Sequence, residues 1–472
     1  MTLNHVYKKG SIATLLSLYF LFASNLSCAD SQFFSYEDLD RKIGQAIFEK
    51  FWVFAPSSTK SSDGLGPLYN ARSCHQCHES SKKNKNNIPS TLVIQLSIEP
   101  KPTNQDFEQV MNQLGFIPEP IYGKQLQTFA YPGAKAEADI SVTYTPINII
   151  FPDGEELSLS KPSYLFTNMG YGKFHKDLKF SPRVAPRMTG LNWLDSIPEQ
   201  QITSNTDPDD INKDGISGKA NWVWDDISRT TKLGRFGWKA GKPNLEQQNL
   251  AALSADIGVS SWLYPQAEGD CTLAQSRCTQ LAKNTETQLV KAIGNSTLHN
   301  GTHKSSLWVE ASKDMTDLLL LFTATMDQKN RSKKTQFELE SVKHGKELFN
   351  QIGCQNCHIS TYKNITDTYK NNIKITTIYP YTDLLLHDMG DNLADNRKEF
   401  EASGNEWRTA PLWGISDYLK KSPNPVFLHD GRAKSTVEAI LWHAGEAEKS
   451  KQAFMALTNK ERIILKKFVE SL

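Results

Sequence analysis

Apolar residues recur along this chain in three rhythms, and each predicts a different kind of element. From Ile12 to Ala23 they run almost unbroken behind Lys8 and Lys9. That stretch is too short and badly flanked for a membrane span, and it reads as an export signal over residues 1–29. Ser27-Cys28-Ala29 offers the small residues that a signal peptidase reads, and the competing reading is a lipid anchor on Cys28. No later segment of the sequence is apolar for long enough to span a bilayer, so no transmembrane span is expected.

The second rhythm is helical. Ser35-Tyr36-Glu37-Asp38 resembles a capping box and opens a helix carrying Gly44-x-x-Ile47-Phe48; Gly345-x-x-Leu348-Phe349 repeats that spacing near the other end. Thr458-Asn459-Lys460-Glu461 caps a last helix whose Ile464, Leu465, Phe468, Val469 and Leu472 share one face. A glycine on an apolar helix face lets a second helix cross closely, so Gly345 is expected to meet this C-terminal helix. The third rhythm is the strand's. Residues 91–98 are β-branched and partly alternating, and Ile140, Val142 and Tyr144 alternate with polar neighbours. Ile147 to Phe151 then meet a Pro152-Asp153-Gly154 turn, followed by Leu157 and Leu159. The lysine- and asparagine-rich run Ser80 to Asn87 reads as a solvated loop. The whole predicts a mainly α protein with two helical domains, residues 30–334 and 335–472, and a small β insertion over about residues 91–166 of the first.

Composition narrows the class. The chain has 472 residues, 53 Lys+Arg against 52 Asp+Glu, and a net charge of +1. Such a balance gives no electrostatic case for nucleic acid as a partner. Seven cysteines are few for a disulfide scaffold, and their spacing matters more than their number. Four of them form Cys74-His75-Gln76-Cys77-His78 and Cys354-Gln355-Asn356-Cys357-His358, the Cys-x-x-Cys-His pattern of c-type haem attachment. The two thiols add to the haem vinyl groups and the adjacent His78 or His358 ligates the iron. A redox pair or half a zinc site would leave that histidine unexplained twice over. Cys271 and Cys278 are close enough to close a small disulfide loop, as an oxidising compartment permits; free thiols are the alternative. Attachment of this kind fits export, and the periplasm is the expected location. Asp210-x-Asn212-x-Asp214-Gly215, within residues 207–218, has the spacing of a calcium loop, with Asn221 where a complete loop would carry a bidentate glutamate.

Several longer stretches carry a family likeness: Gly64 to Cys74, Gly234 to Ala240, Pro380 to Gly390, Glu406 to Gly414 and Leu428 to Ala433. Together they resemble the di-haem oxidoreductase family, whose members are often called thiol oxidoreductases. That family is distantly related to bacterial di-haem cytochrome c peroxidases and to the di-haem enzyme that matures tryptophan tryptophylquinone. The resemblance implies two cytochrome c-like haem domains. In the peroxidases a His-x-Gly segment is followed fourteen residues on by a methionine ligand of the electron-transfer haem. Here His443 stands that far after His429-Asp430-Gly431, so the resemblance implies His358 and His443 as the axial pair of the second haem, with His429 and His387 as runners-up. His175, Met169 and Met188 are possible sixth ligands of the first. Residues 183–199 are similar in kind to the peroxidases' distal region. They offer Glu199 and Asp195, in that order, as the acid–base carboxylate, and Trp193 as an electron relay between haems. The implied activity is electron transfer from the C-terminal haem to the N-terminal one, where peroxide or a related substrate is reduced. A small cytochrome or cupredoxin-like protein is the implied donor. The alternatives are a non-catalytic electron carrier and a maturation enzyme that oxidises a partner protein.

Overall fold

The computed structural model describes residues 36–55, 57–58, 62–78, 91–99, 105–283, 309–326, 340–366 and 375–472. The export signal with Cys28, and the run Ser80 to Asn87, lie outside the described residues. The chain separates into two compact units, Met1–Asp40 and Arg41–Leu472. Of the first, only the opening of a helix is described. The second holds both Cys-x-x-Cys-His segments and every described strand.

The expectation of a mainly α protein is corrected. Among the described residues 33% are helical and 22% strand, in several small sheets. Strand Leu92–Ile98 lies between Gln125–Leu126 and Leu178–Val184, antiparallel to both. Short two-stranded ribbons occur at Trp222–Asp225 with Thr230–Leu233, at Tyr362–Thr366 with Ile375–Ile378, and at Leu386–Asp388 with Glu406–Arg408. None of these ribbons is long enough for alternation to show in the sequence. Thr230-Thr231-Lys232-Leu233, for example, has a single apolar residue, and its pairing with Trp222–Asp225 is what makes it a strand.

The two glycine-bearing helices make the same contact twice. Gly345, in helix Glu340–Gln351, approaches helix Asn459–Glu470 so closely that an added Cβ would lie 2.5 Å from Phe468 Cβ and 2.7 Å from the Ile464 carbonyl oxygen. The latter helix begins with the complete Thr458–Glu461 capping box and buries Leu465, Phe468 and Val469. Gly44, in helix Tyr36–Glu49, meets Lys313–Thr325 in the same manner: its Cβ would fall 2.1 Å from the Leu318 carbonyl oxygen and 2.8 Å from Phe322 Cβ. Phe48 packs on Phe322 at 5.3 Å between ring centroids, and Phe349 on Phe468 at 5.4 Å. Close crossing at glycine followed by an interlocked phenylalanine pair is thus the repeated unit of the fold.

The largest β feature is a hairpin, Asp139–Ile150 against Glu156–Thr167, turning at Pro152-Asp153-Gly154 with Gly154 at φ 89°. At about 3.4 Å per residue its arms reach about 40 Å. Its base and tip bury opposite faces, because side chains alternate along a strand and the apolar parity changes near Pro146. Ile140, Val142, Tyr164 and Phe166 pack with Ile94 and Leu96 of the three-stranded sheet. Ile147, Ile149, Leu157 and Leu159 pack instead with Leu465 and Phe468 around the second glycine crossing. Arg462 of the last helix fixes the tip by pairing with Asp153 at 2.5 Å and Glu155 at 2.7 Å.

Candidate functional site

Both Cys-x-x-Cys-His segments open into one cavity of about 970 Å³, whose wall includes Cys77, His78, Cys354, Cys357 and His358. That is at the upper limit of small-molecule sites, about 1,000 Å³, and suits more than one large apolar group. The first segment is a single helical turn, Cys74–His78, and the second a 3-10 turn at Cys354–Asn356. Each is steered by the glycine-crossed helix before it, for Phe48 lies 6.2 Å from the His78 ring and Phe349 lies 6.3 Å from that of His358.

The four thiols are half-buried and form no disulfide with one another, whereas Cys271 and Cys278 are bonded. Burial pushes the thiols of Cys74, Cys77 and Cys354 up to about 12. They are therefore neutral at physiological pH, which suits neither a thiolate metal site nor a thiol redox pair. The histidines share a second feature. His78 Nδ1 lies 3.1 Å from the Pro186 carbonyl oxygen and His358 Nδ1 lies 2.9 Å from that of Tyr381. A carbonyl can only accept, so Nδ1 carries the proton and Nε2 keeps its lone pair; this is how an imidazole is oriented toward iron. Burial lowers both rings to about 4, so they stay neutral and able to ligate. His443 repeats the arrangement with Nδ1 2.6 Å from the Ala439 carbonyl oxygen, and burial lowers its basicity as well. It lines the same cavity and lies within electrostatic reach of His358. Paired thiols, oriented imidazoles and the shared cavity all fit two haems.

The match to a family model decides the class: residues 22–472 correspond to the family described as "Di-haem oxidoreductase, putative peroxidase". The chain belongs to the di-haem oxidoreductase family. Its family name implies two haems and an oxidoreductase. No curated protein and no solved structure matches the chain. Among the described residues, no helix is long and apolar enough to cross a membrane.

Other residues singled out from the sequence are scattered in this di-haem oxidoreductase. Glu199 opens the short helix Glu199–Thr203 on the exposed surface. Asp195 accepts the Leu245 backbone N–H at 3.3 Å, and Trp193 is buried in the cluster containing Trp413. None of the three lines the cavity, although Leu191, Leu194 and Trp413 do. Of the possible sixth ligands, Met188 reaches the cavity wall, Met169 packs against the sheet core, and His175 Nδ1 accepts the Asp177 backbone N–H at 3.2 Å. Of the runners-up, His387 has carboxylates at both ring nitrogens, and His429 stacks on Trp407 at 3.7 Å.

A carboxylate that does line the cavity near the first motif is Asp256. It lies in the π-helical turn Leu253–Ile257, of a kind often found at functional sites, and beside Ala251, Ala252 and Ala255 on the cavity wall. Gln125 Nε2 donates to its Oδ1 at 2.7 Å. Burial raises Asp256 to about 6, and its charge is felt at both Cys74 and Cys77. No local sequence motif marks it.

In the loop at residues 207–218, the side-chain oxygens turn onto the loop's own backbone. Asn212 Oδ1 accepts the Asp214 N–H at 2.8 Å, Asp214 Oδ1 that of Ile216 at 2.8 Å, and Asp210 that of Gly215 at 3.2 Å. Asn221 points elsewhere, its amide donating to the Lys239 and Glu399 carbonyls. Among the described residues, the one group of metal-capable His, Cys, Asp and Glu side chains is Cys357, Asp383 and His387, at the second haem motif.

Proposed function

We propose that this chain is an exported di-haem c-type cytochrome that reduces peroxide, with thioether attachment at Cys74, Cys77, Cys354 and Cys357. The observation that carries the reading is the shared cavity into which paired neutral thiols and carbonyl-anchored imidazoles converge. His78 and His358 would hold the two irons from the attachment motifs, and His443 would be a second imidazole for the haem of Cys354 and Cys357. Of the cavity-lining histidines other than the proximal pair, His443 alone has its Nδ1 anchored on a backbone carbonyl; His387 has carboxylates at both ring nitrogens and His429 is stacked on Trp407. Substrate is assigned to the haem of Cys74 and Cys77, on whose side of the cavity Asp256 stands. When bound, the haems supply one-electron iron couples, and peroxide takes up two electrons and two protons to leave as water.

The chain's own residues handle the protons. Asp256 is better supported for that task than Glu199 or Asp195, since it faces the cavity and Gln125 fixes its orientation. A carboxyl raised to about 6 can both accept the proton of the near oxygen and return it to the leaving oxygen at neutral pH. The electron donor would be a small cytochrome or cupredoxin-like protein in the periplasm, serving the haem of Cys354 and Cys357. Calcium at Asp210, Asn212 and Asp214 is the remaining proposal, for a loop whose oxygens would have to leave their backbone partners to bind it.

The test uses protein exported in a host that matures c-type cytochromes. Its denatured mass should exceed that of the polypeptide by two haems. The ferric protein should show one low-spin and one high-spin EPR signal, and the reduced protein should be reoxidised by peroxide with turnover. A colourless protein overturns the haem reading. Two low-spin centres in every redox state, without turnover, make it an electron carrier.

A further inference from the structure

Beside the second haem motif lies a charged group that peroxide reduction leaves unused. His387 is 3% exposed, with Nε2 2.8 Å from Asp383 Oδ2 and Nδ1 2.6 Å from Glu446 Oε2. A carboxylate oxygen accepts and does not donate, so both ring nitrogens hold protons and the ring is an imidazolium. It therefore has no lone pair for iron. Its Nδ1 is also 3.7 Å from the Cys357 sulfur. Although burial opposes the charge, Asp383 and Glu446 hold the pKa of His387 well above that of a free imidazole. The charge is felt at His358, whose basicity is lowered mainly by burial and further by His443 and His387.

The imidazolium is held from a distance in sequence. Glu446 accepts from Ser217 Oγ at 2.5 Å, the Ser217 N–H at 3.1 Å and the Asp388 N–H at 3.1 Å. Lys219 and Leu386 exchange backbone hydrogen bonds of 2.9 and 2.8 Å, and a Cβ on Gly218 would come within 3.3 Å of His387 Cε1. The end of the loop at residues 207–218 is therefore seated against the second haem motif through this group.

We infer that His387 sets the reduction potential of the haem held by Cys354, Cys357 and His358, by fixing a positive charge at the Cys357 thioether, and that Glu446 and Ser217 keep it in place. The inference rests on the di-haem reading. Two imidazole ligands favour the ferric state, and a buried cation opposes them because reduction removes one positive charge from the iron centre. The pair His387 and Glu446 thus acts as a setting with opposite signs at its two ends.

The test is spectroelectrochemical titration of the purified holoprotein and of two variants, His387→Gln and Glu446→Gln. His387→Gln should shift the second haem's equilibrium at least about tenfold toward ferric, about 59 mV downward for a one-electron couple. Glu446→Gln should move the same midpoint upward, because Asp383 still holds the imidazolium while one negative charge beside it is lost, and the first haem should move less in both. Either sign reversed, or both midpoints unmoved while the low-spin spectrum stays intact, overturns the inference. Failure of the di-haem reading would show differently, as a wild-type protein without haem mass. If one variant does not load haem, the sign of the other still decides.

Discussion

Replacing Asp256 by asparagine should strengthen the fold and disable the chemistry, and the two effects can be sized from the structure. In the native protein burial raises this carboxyl from 3.8 to about 6, against the opposing hydrogen bond from Gln125. Between those values the native state holds a proton that the unfolded chain has lost, so stability falls as pH rises through that window. The rise is worth about 3 kcal/mol, at about 1.36 kcal/mol per pH unit. The amide of Asp256→Asn carries no charge to desolvate, and its oxygen can still accept from Gln125. The variant should therefore exceed the native protein in stability by up to about 3 kcal/mol above pH ~7, with the gain vanishing below pH ~4. Peroxide turnover should meanwhile fall about a hundred- to ten-thousandfold, the usual weight of a positioned acid–base group. The assays are urea unfolding of the holoprotein at both pH values and steady-state peroxide reduction at neutral pH. A gain that persists in acid would refute the burial argument. Unchanged turnover with both haems attached would refute the catalytic assignment while leaving the stability argument standing.

His443→Met should raise the second haem's midpoint, because a thioether favours ferrous iron relative to imidazole, and should bring in a near-infrared charge-transfer band; an unaltered spectrum would remove His443 as a ligand. Gly345→Ala sets two known effects against each other. Alanine gains about 1 kcal/mol of helix propensity, but its Cβ would press on Phe468 Cβ and the Ile464 carbonyl at separations under 3 Å. Since the obstacle is partly backbone, overpacking should win by about 1–3 kcal/mol in thermal unfolding, and a stabilised variant would show that the two helices can move apart. Calorimetry with calcium after chelation tests the loop at residues 207–218, and a flat titration would dispose of that proposal.

What the sequence made legible was what the chain writes within one helical turn or one hairpin. The Cys-x-x-Cys-His segments, the Thr458–Glu461 box and the Pro152-Asp153-Gly154 turn all have their partners within a few residues. Gly345 could be matched to its crossing helix because that helix carries its own cap and apolar face. Gly44 has the same need, yet its partner Lys313–Thr325 is marked only by the Ser312 N-cap and stands far along the chain. The small ribbons were hidden because each strand is too short to show alternation, and leaving them out of the reading overestimated the helix. Asp256 was hidden most completely. Its environment is made by a π turn and by Gln125, 131 residues away. Glu199 looked suitable in a distal-like segment, but Pro198 starts a short surface helix there and turns it outward.

The same contrast between local and distant partners bears on how one fold unit can be given two jobs. Each half repeats the glycine crossing, the phenylalanine pair and the proximal imidazole anchored on a carbonyl, so the shared parts cannot distinguish the two irons. What distinguishes them comes from outside the repeat. On the second motif converge His443, His387 with its two carboxylates, and the end of the loop at residues 207–218. On the first converges the π turn with Asp256 and three alanines. On the proposed assignment, a centre held by two imidazoles with a fixed charge beside it is suited to exchanging electrons, whereas one with a small-residue wall and a titratable acid is suited to substrate. If that division is right, transplanting ligands should transfer roles incompletely. Removing His443 should open a coordination site at the second haem without making it a peroxidase, because the carboxylates beside it, Asp383 and Glu446, are committed to His387. Peroxide turnover in a His443→Ala variant that also carries Asp256→Asn would contradict this assignment of roles.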